Sequence, residues 1–140
     1  MTAEQNKAEQ NKARALDLLE RVINGHDIDA LGDYTSNPAI MGSAGGLLRA
    51  FPDIEVDVRW VVAEGDMVVV FHDVRGTQGG PWLFVEEPTG NRVETSFLLA
   101  FRFDSEGQVV DQWLGSNFIE MLAQLGWGFA PAGAVVAELP

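Results

Sequence analysis

The sequence predicts an α+β fold in which N-terminal helices pack on a curved antiparallel sheet. Up to about residue 50, apolar residues recur at three- and four-residue spacing. Beyond that point they alternate with polar residues in four segments, which are joined by short turns containing glycine or proline. Such a sheet, curled around its helices, forms a cone whose mouth is a ready ligand pocket. At 140 residues we expect a single domain.

The helices come first. Residues 1–12 contain AEQNK twice and are expected to form a polar helical leader without function. The domain proper is assigned to residues 13–128, where an amphipathic helix begins and ends at Gly25. A short second helix follows, with Asp27 or Asp29 as its N-cap. The next stretch, TSNPAIMGSAGG, is predicted as a loop or short strand, and GLLRAF as one or two helical turns.

Four strands follow the helices. In the first, DIEVDVRWVV, regular alternation predicts one shared face for Ile54, Val56, Val58, Trp60 and Val62. The second strand starts after a turn at Gly65 and the third after a turn at Pro88–Asn91. The fourth follows Gly107, and FIEMLAQLGW predicts a closing short helix. Residues 129–140 are expected to be a loose tail.

Composition excludes several classes of function. The formal charge of −12 opposes binding to nucleic acid or to an anionic membrane. The chain has no cysteine and two histidines, which excludes disulfides and makes a His/Cys zinc site improbable. There is no apolar run of membrane-spanning length and no signal-peptide core at the N-terminus. We therefore expect a soluble, cytoplasmic protein that binds a hydrophobic small molecule.

The segment GQVVDQWLGSN in the fourth strand holds the first candidate residue, Asp111. Regular alternation places Asp111 with Val109 and Trp113, and both faces of this strand are largely apolar. Burial disfavours the charged form of a carboxyl, which suits it to take up and return a proton. The alternative is that Asp111 faces water or pairs with Arg92 or Arg102 on the neighbouring strand.

Four further residues could line a cavity. Trp113 could stack on a flat ring or pack in the core. Phe97 alternates with core residues of the third strand and is expected to be cavity wall and core together. His72 and Gln78 share a face with three valines of the second strand and could polarise a carbonyl. Alternation does not say whether that face points inward, and a lone strand histidine can equally be structural or a dimer contact.

Three segments are informative as a set, namely RAFPDIEVDV, VRGTQGGPWLFVEEPTGNRVETSFLLAFRF and EGQVVDQWLGSNFIEMLAQLG. Together they resemble the SnoaL-like polyketide cyclases of the nuclear transport factor 2-like superfamily. The resemblance implies the cone fold and an intramolecular aldol ring closure, as in antibiotic biosynthesis, with no metal or organic cofactor. It implies that Asp111 is the general acid/base and that Tyr34 and Asn37 bind substrate. We also expect a homodimer formed through the outer sheet face.

The sequence departs from the family pattern at several positions. Gln78 and Asn37 stand where members often have histidine, Phe71 replaces an arginine, and the segment between Asn37 and Phe51 looks short enough to remove part of a cavity wall. Two alternatives therefore stay open. One is epoxide opening, ether formation or double-bond isomerisation in the same cone. The other is a non-catalytic binding or dimerisation module, in which Trp60, Phe97 and Trp113 would fill the cone.

Overall fold

The computed structural model describes residues 1–133. The four strands are β1 (Glu55–Glu64), β2 (Met67–Thr77), β3 (Arg92–Phe103) and β4 (Val109–Ser116). Helices α1 (Ala3–Leu18) and α2 (Pro38–Ala50) precede them, and α3 (Phe118–Gln124) follows. The helices-then-sheet order is the predicted one. Residues 134–140 of the expected tail lie outside the described residues.

Helix α1 continues as a turn of π-helix, Leu19–Asn24, so the N-terminal helix ends just before Gly25 as predicted. A Cβ on Gly25 would lie 2.3 Å from the backbone oxygen of Arg21, so only glycine fits this close approach. The residue with left-handed backbone is the next one, His26, at φ 52°. A 3₁₀ helix, Ile28–Asp33, follows, and Asp27 caps it by accepting from the backbone N–H of Ala30.

Helix α2 corrects the prediction of a loop or short strand after Thr35. The helix runs for 13 residues, including three glycines. Asn37 is its N-cap, because its side-chain oxygen accepts from the backbone N–H of Ala39 at 3.0 Å. Pro38 occupies the first helical position, where its missing N–H costs nothing. The Asn-Pro pair is therefore a helix start, and this signal outweighs the low helix propensity of the glycines.

The sheet has the order β1-β2-β3-β4, with every neighbouring pair antiparallel. Its inner face packs against the helices. The alternation predicted for β2 and β3 is confirmed: Val68, Val70 and His72 of β2 are buried, as are Phe97 and Phe101 of β3. The buried apolar residues form one core between sheet and helices. No helix within residues 1–133 is long and apolar enough to cross a membrane.

Two register shifts overturn the regular alternation predicted for β1 and β4. In β1, Val58 pairs with His72, but Trp60 pairs with Phe71, so the chain bulges at Arg59. In β4, Val109 pairs with Phe103, but Asp111 pairs with Arg102, so Val110 is the extra residue. A bulge lets two residues oppose one and sends the following side chains to the other face. The strands therefore change faces partway along.

Candidate functional site

The inner side of the sheet encloses an apolar cavity of about 350 Å³. Its floor is formed by β2, β3 and β4, and α1, α2 and the loop around Trp82 enclose it. Phe97 lines the cavity, as predicted for it. Trp60 and Trp113 lie outside on the outer face, so they do not fill the cone. A volume of this size is within the range of small-molecule sites.

Helix α2 supplies a part of the cavity wall that we expected to be missing. Gly42, Ser43 and Gly46 line the cavity on this helix, together with Ile40 and Leu47. A Cβ added at Gly42 or Gly46 would meet nothing within 4 Å, so these glycines widen the cavity without being forced by packing. The segment between Asn37 and Phe51 therefore closes the site instead of opening it.

Among the described residues that line this cavity, His72 is the single one with a titratable side chain. It is 3% exposed, and its ring packs edge-on against Phe97 at a centroid distance of 5.7 Å. Nδ1 lies 3.4 Å from the backbone oxygen of Asp73, which can only accept, so this weak contact favours the proton on Nδ1. Nε2 makes no hydrogen bond with residues 1–133. Burial lowers the pKa of the His72 imidazole, although Asp73 opposes the effect, so the ring is neutral near pH 7.

The bulge at Val110 directs two polar side chains of β4 into the same cavity. Gln112 pairs with Phe101 and Ser116 pairs with Phe97, so both share the inner face of those core residues. Their side chains form no hydrogen bond within the described part of the chain. With Nε2 of His72 and Ser43 of α2, they provide a few polar groups in a largely apolar site, which is the composition typical of ligand pockets.

Asp111 does not lie in the cavity, and its expected burial among apolar side chains is wrong. Its side chain is 48% exposed on the outer face, and Oδ2 accepts from Arg102 Nη1 at 3.3 Å. The alternative of pairing with Arg102 is therefore the one observed. The physical reason is the bulge, because regular alternation from buried Val109 would have put Asp111 inside. Trp113 shares the outer face and lies under the Arg102 guanidinium, 5.3 Å from its ring centroid.

Tyr34 and Asn37 were expected to bind substrate, but the structure gives both a place outside the cavity lining. Tyr34 is 1% exposed and its hydroxyl donates to Asp17, while burial raises the pKa of the Tyr34 hydroxyl. Asn37 caps α2 and donates from Nδ2 to the backbone oxygen of Val110 at 2.8 Å. Asn37 therefore joins α2 to β4, whereas the Tyr34 side chain is bonded to α1.

Gln78, also expected at the substrate, is fully buried and clamps the loop that follows β2. Its Nε2 donates to the backbone oxygen of Gly80 at 3.1 Å. Its Oε1 accepts from both the backbone N–H and the hydroxyl of Thr89, at 3.1 and 2.7 Å. Both ends of its amide are bonded within the protein, so Gln78 shapes the loop carrying Trp82, and it is not among the residues that line the cavity.

Sequence reasoning missed Gln112, Ser116 and Trp82. Gln112 and Leu114 share one face of β4, and only the bulge decides whether that face points into the cavity. Trp82 forms a wall of the cavity by packing on Phe51 and Phe118, at centroid distances of 5.8 and 5.2 Å. No periodic pattern marks this loop, so a tertiary contact was needed to find it.

Solved structures with the same architecture confirm the cone fold. A proposed SnoaL-like polyketide cyclase from Jannaschia sp. CCS1 superposes with a TM-score of 0.74 at 23% identity, over 89% of this chain and 95% of that one. AclR, a proposed hydroxylase from Streptomyces galilaeus, gives 0.71 at 25% identity, over 85% and 97%. IdmH, a proposed polyketide cyclase from Streptomyces antibioticus, gives 0.67 at 24%, over 84% and 99%.

The sequence itself places the chain more narrowly. The model of the SnoaL-like polyketide cyclase family matches residues 10–125, which is most of the chain. The protein therefore belongs to the SnoaL-like polyketide cyclase family, as the sequence resemblance indicated. Among the curated proteins, none matches the chain significantly.

Proposed function

We propose that the protein catalyses a cyclase- or isomerase-type reaction of a hydrophobic polycarbonyl compound, with His72 as the general acid/base. The observation that carries the proposal is the position of this neutral imidazole in an apolar cavity, with Nε2 free to accept a proton. Membership of a polyketide cyclase family supports the substrate class. A carboxylate at Asp111 would have to act through the sheet, which geometry forbids.

The proposed ring closure needs no co-reactant. Nε2 of His72 takes a proton from a carbon between two carbonyl groups, and the electron pair of the broken C–H bond forms an enolate. The enolate carbon attacks a second carbonyl carbon of the same molecule, so that one C–C bond forms. The new alkoxide then receives the proton from the imidazolium. The product is an isomer of the substrate, and His72 returns to its neutral state.

Ser116 is placed to assist at the oxygen. His72 and Ser116 both pair with Phe97 on its two sides, so they occupy one row of the inner face. Their Cα atoms are about 10 Å apart, two strand spacings, and both side chains point into the cavity. A ligand between them can place an acidic C–H at Nε2 and its carbonyl oxygen at the Ser116 hydroxyl, which would stabilise negative charge as it develops.

Proton exchange on a model ketone tests the proposal without the natural substrate. 2-Tetralone carries an acidic CH₂ beside its carbonyl, and its deuterium uptake in D₂O can be followed by NMR. We expect the wild-type protein to accelerate deuterium uptake above the buffer rate. His72→Phe should reduce the accelerated rate by at least ~100-fold. Asp111→Asn is the matched control on the opposite face and should exchange at the wild-type rate.

Two results would contradict the proposal. Uptake at the buffer rate with wild-type protein would favour the alternative, in which the cone only binds a small molecule. Loss of uptake in Asp111→Asn with retention in His72→Phe would return the acid/base role to the carboxylate. The epoxide-opening and ether-forming alternatives have weaker support, because within residues 1–133 no acidic side chain lines the cavity.

We also propose that the protein is a homodimer formed through the outer sheet face. Two rows of apolar residues cross all four strands on this face: one runs from Trp60 through Phe71 and Leu98, the other from Val62 to Trp113. The charged side chains beside the rows pair within the chain, including Arg59 with Asp73, Arg75 with Glu55 and Arg102 with Asp111. An apolar centre with neutralised borders suits a second copy of the same surface.

A further inference from the structure

The polar groups of the cavity are distributed over two of its regions. His72 and Ser116 share the sheet row that passes through Phe97, whereas Gln112 belongs to the row through Phe101. The row between them contains Val70, Leu99 and Leu114, which offer no polar side-chain group. Along the sheet, the cavity floor therefore has a polar end at His72, an apolar middle and a second polar end at Gln112, while Ser43 adds a hydroxyl on the α2 wall.

The separation of the two ends limits what can bridge them. Phe97 and Phe101 are four residues apart on β3, which corresponds to about 13 Å along the strand. His72 and Gln112 lie on the strands flanking β3, so their Cα atoms are also displaced by about 10 Å across the sheet. Together these displacements put the two Cα atoms roughly 16 Å apart, so a ligand that contacts both inward-pointing side chains must be elongated.

The amide of Gln112 is available for a ligand. It makes no hydrogen bond within residues 1–133, although it lines the cavity and is half-buried. Gln78 is the glutamine that the sequence analysis expected at the substrate, but both ends of its amide are bonded within the protein. A primary amide both donates and accepts, so it can bind a carbonyl oxygen as well as a hydroxyl.

We propose that Gln112 determines substrate specificity by binding an oxygen function at the far end of the ligand, while the reacting carbonyl lies at His72 and Ser116. The substrate class is then a flat, largely apolar compound with oxygen functions at two opposite ends. This inference rests on the proposed function of the cavity. It adds a recognition residue that takes no part in proton transfer and that acts on binding alone.

Naphthols of matched shape test the inference. 2-Naphthol carries one hydroxyl, and 2,6-dihydroxynaphthalene carries two at opposite ends of the same ring system. Dissociation constants for both are measured by fluorescence or calorimetric titration, with the wild-type protein, Gln112→Leu, His72→Phe and Asp111→Asn. The measured quantity is the ratio of the two constants within each variant, because this ratio cancels general effects on cavity shape.

For the wild-type protein we expect the diol to bind about 10-fold more tightly than 2-naphthol, from about fivefold for the second hydrogen bond and about twofold for its two equivalent orientations. Gln112→Leu should reduce the ratio to about 2, while Asp111→Asn keeps the wild-type ratio.

The outcomes separate this inference from the proposed function. A wild-type ratio in Gln112→Leu, with ketone exchange that still depends on His72, would overturn the role of Gln112 and leave the proposed function standing. Absence of binding by both naphthols would overturn the inference whatever the exchange result. If the wild-type protein did not accelerate ketone exchange, but the ratio of the naphthol dissociation constants still depended on Gln112, the proposed acid/base chemistry would be refuted. Gln112 would then remain a recognition residue of a binding protein.

Discussion

His72 shows how surroundings give a residue its chemistry. The imidazole of a histidine in water has a pKa of about 6.5. In this protein it is buried beside Phe97, and its lowered pKa keeps it in the neutral form that can accept a proton. Asp111 shows the converse, because its solvent-exposed carboxylate is held by Arg102 on the opposite side of the sheet. Two residues that the sequence nominated for similar chemistry are separated by the sheet itself.

The lowered pKa of His72 predicts a dependence of stability on pH. Between the unfolded value of about 6.5 and the lower folded value, the unfolded chain binds more protons. The stabilisation is therefore fully present above pH 6.5 and is lost as the pH falls toward the folded pKa. Urea unfolding of the wild-type protein and His72→Phe at several pH values should show a steeper loss for the wild type as the pH falls below 6.5. Parallel curves would contradict this origin of the pH dependence.

Gln78 is predicted to act on stability and not on ligand binding. Gln78→Leu preserves most of the side-chain volume but leaves two groups of Thr89 and the carbonyl of Gly80 without their partner. We expect a loss of about 1–3 kcal/mol in the free energy of unfolding, measured with urea. Naphthol binding under native conditions should be retained. A variant of unchanged stability that no longer bound 2-naphthol would restore Gln78 to the site.

At the scale of elements, the bulge at Val110 assigns the residues of β4 to their faces. The segment after Tyr34 holds the bulge in place: the Thr35 hydroxyl donates to the backbone oxygen of Val109 at 2.6 Å, and Asn37 Nδ2 donates to that of Val110. The backbone N–H of Val109 donates in turn to the oxygen of Tyr34 at 2.8 Å. The same short segment therefore starts α2 and fixes which side chains of β4 enter the cavity.

Substitutions at Asn37 separate its two tasks. Asn37→Ala removes both the cap of α2 and the bond to Val110, so we expect a loss of about 1–2 kcal/mol in unfolding free energy. Asn37→Asp keeps an oxygen for the Ala39 N–H but removes the Nδ2 donor, and it should be less destabilised than Asn37→Ala. The measurement is thermal or urea unfolding. Equal losses in both variants would mean that the cap itself contributes little.

For the whole molecule, the apolar rows on the outer face predict a dimer that one charge can disrupt. Trp113→Glu places a carboxylate at the β4 end of the second apolar row, near Asp111, where burial against a second copy would be costly. Sedimentation velocity should show a dimer for the wild-type protein and a monomer for this variant. Ile119→Glu is the control, since Ile119 is 66% exposed on α3 and lies outside the rows. A wild-type monomer at micromolar concentration would refute the proposed interface.

The sequence by itself determined the order of helices and strands, the end of the first helix and the buried faces of β2 and β3. These features depend on local signals, namely apolar spacing and a glycine at a close approach, and they reappear in the structure unchanged. The family resemblance likewise follows from the order of short segments and is confirmed over residues 10–125. Asn37-Pro38 was equally local, but its turn-forming tendency was given more weight than its helix-starting one.

Only the tertiary structure decided which residues form the site. A bulge is defined by the pairing of one strand with its neighbour, so the shifts at Arg59 and Val110 leave no trace in the alternation of a single strand. Because each shift moves all later side chains to the other face, one extra residue exchanges Asp111 for Gln112 in the cavity. The register of a strand thus decides which of its side chains enter the cavity, and register is a property of the assembled sheet.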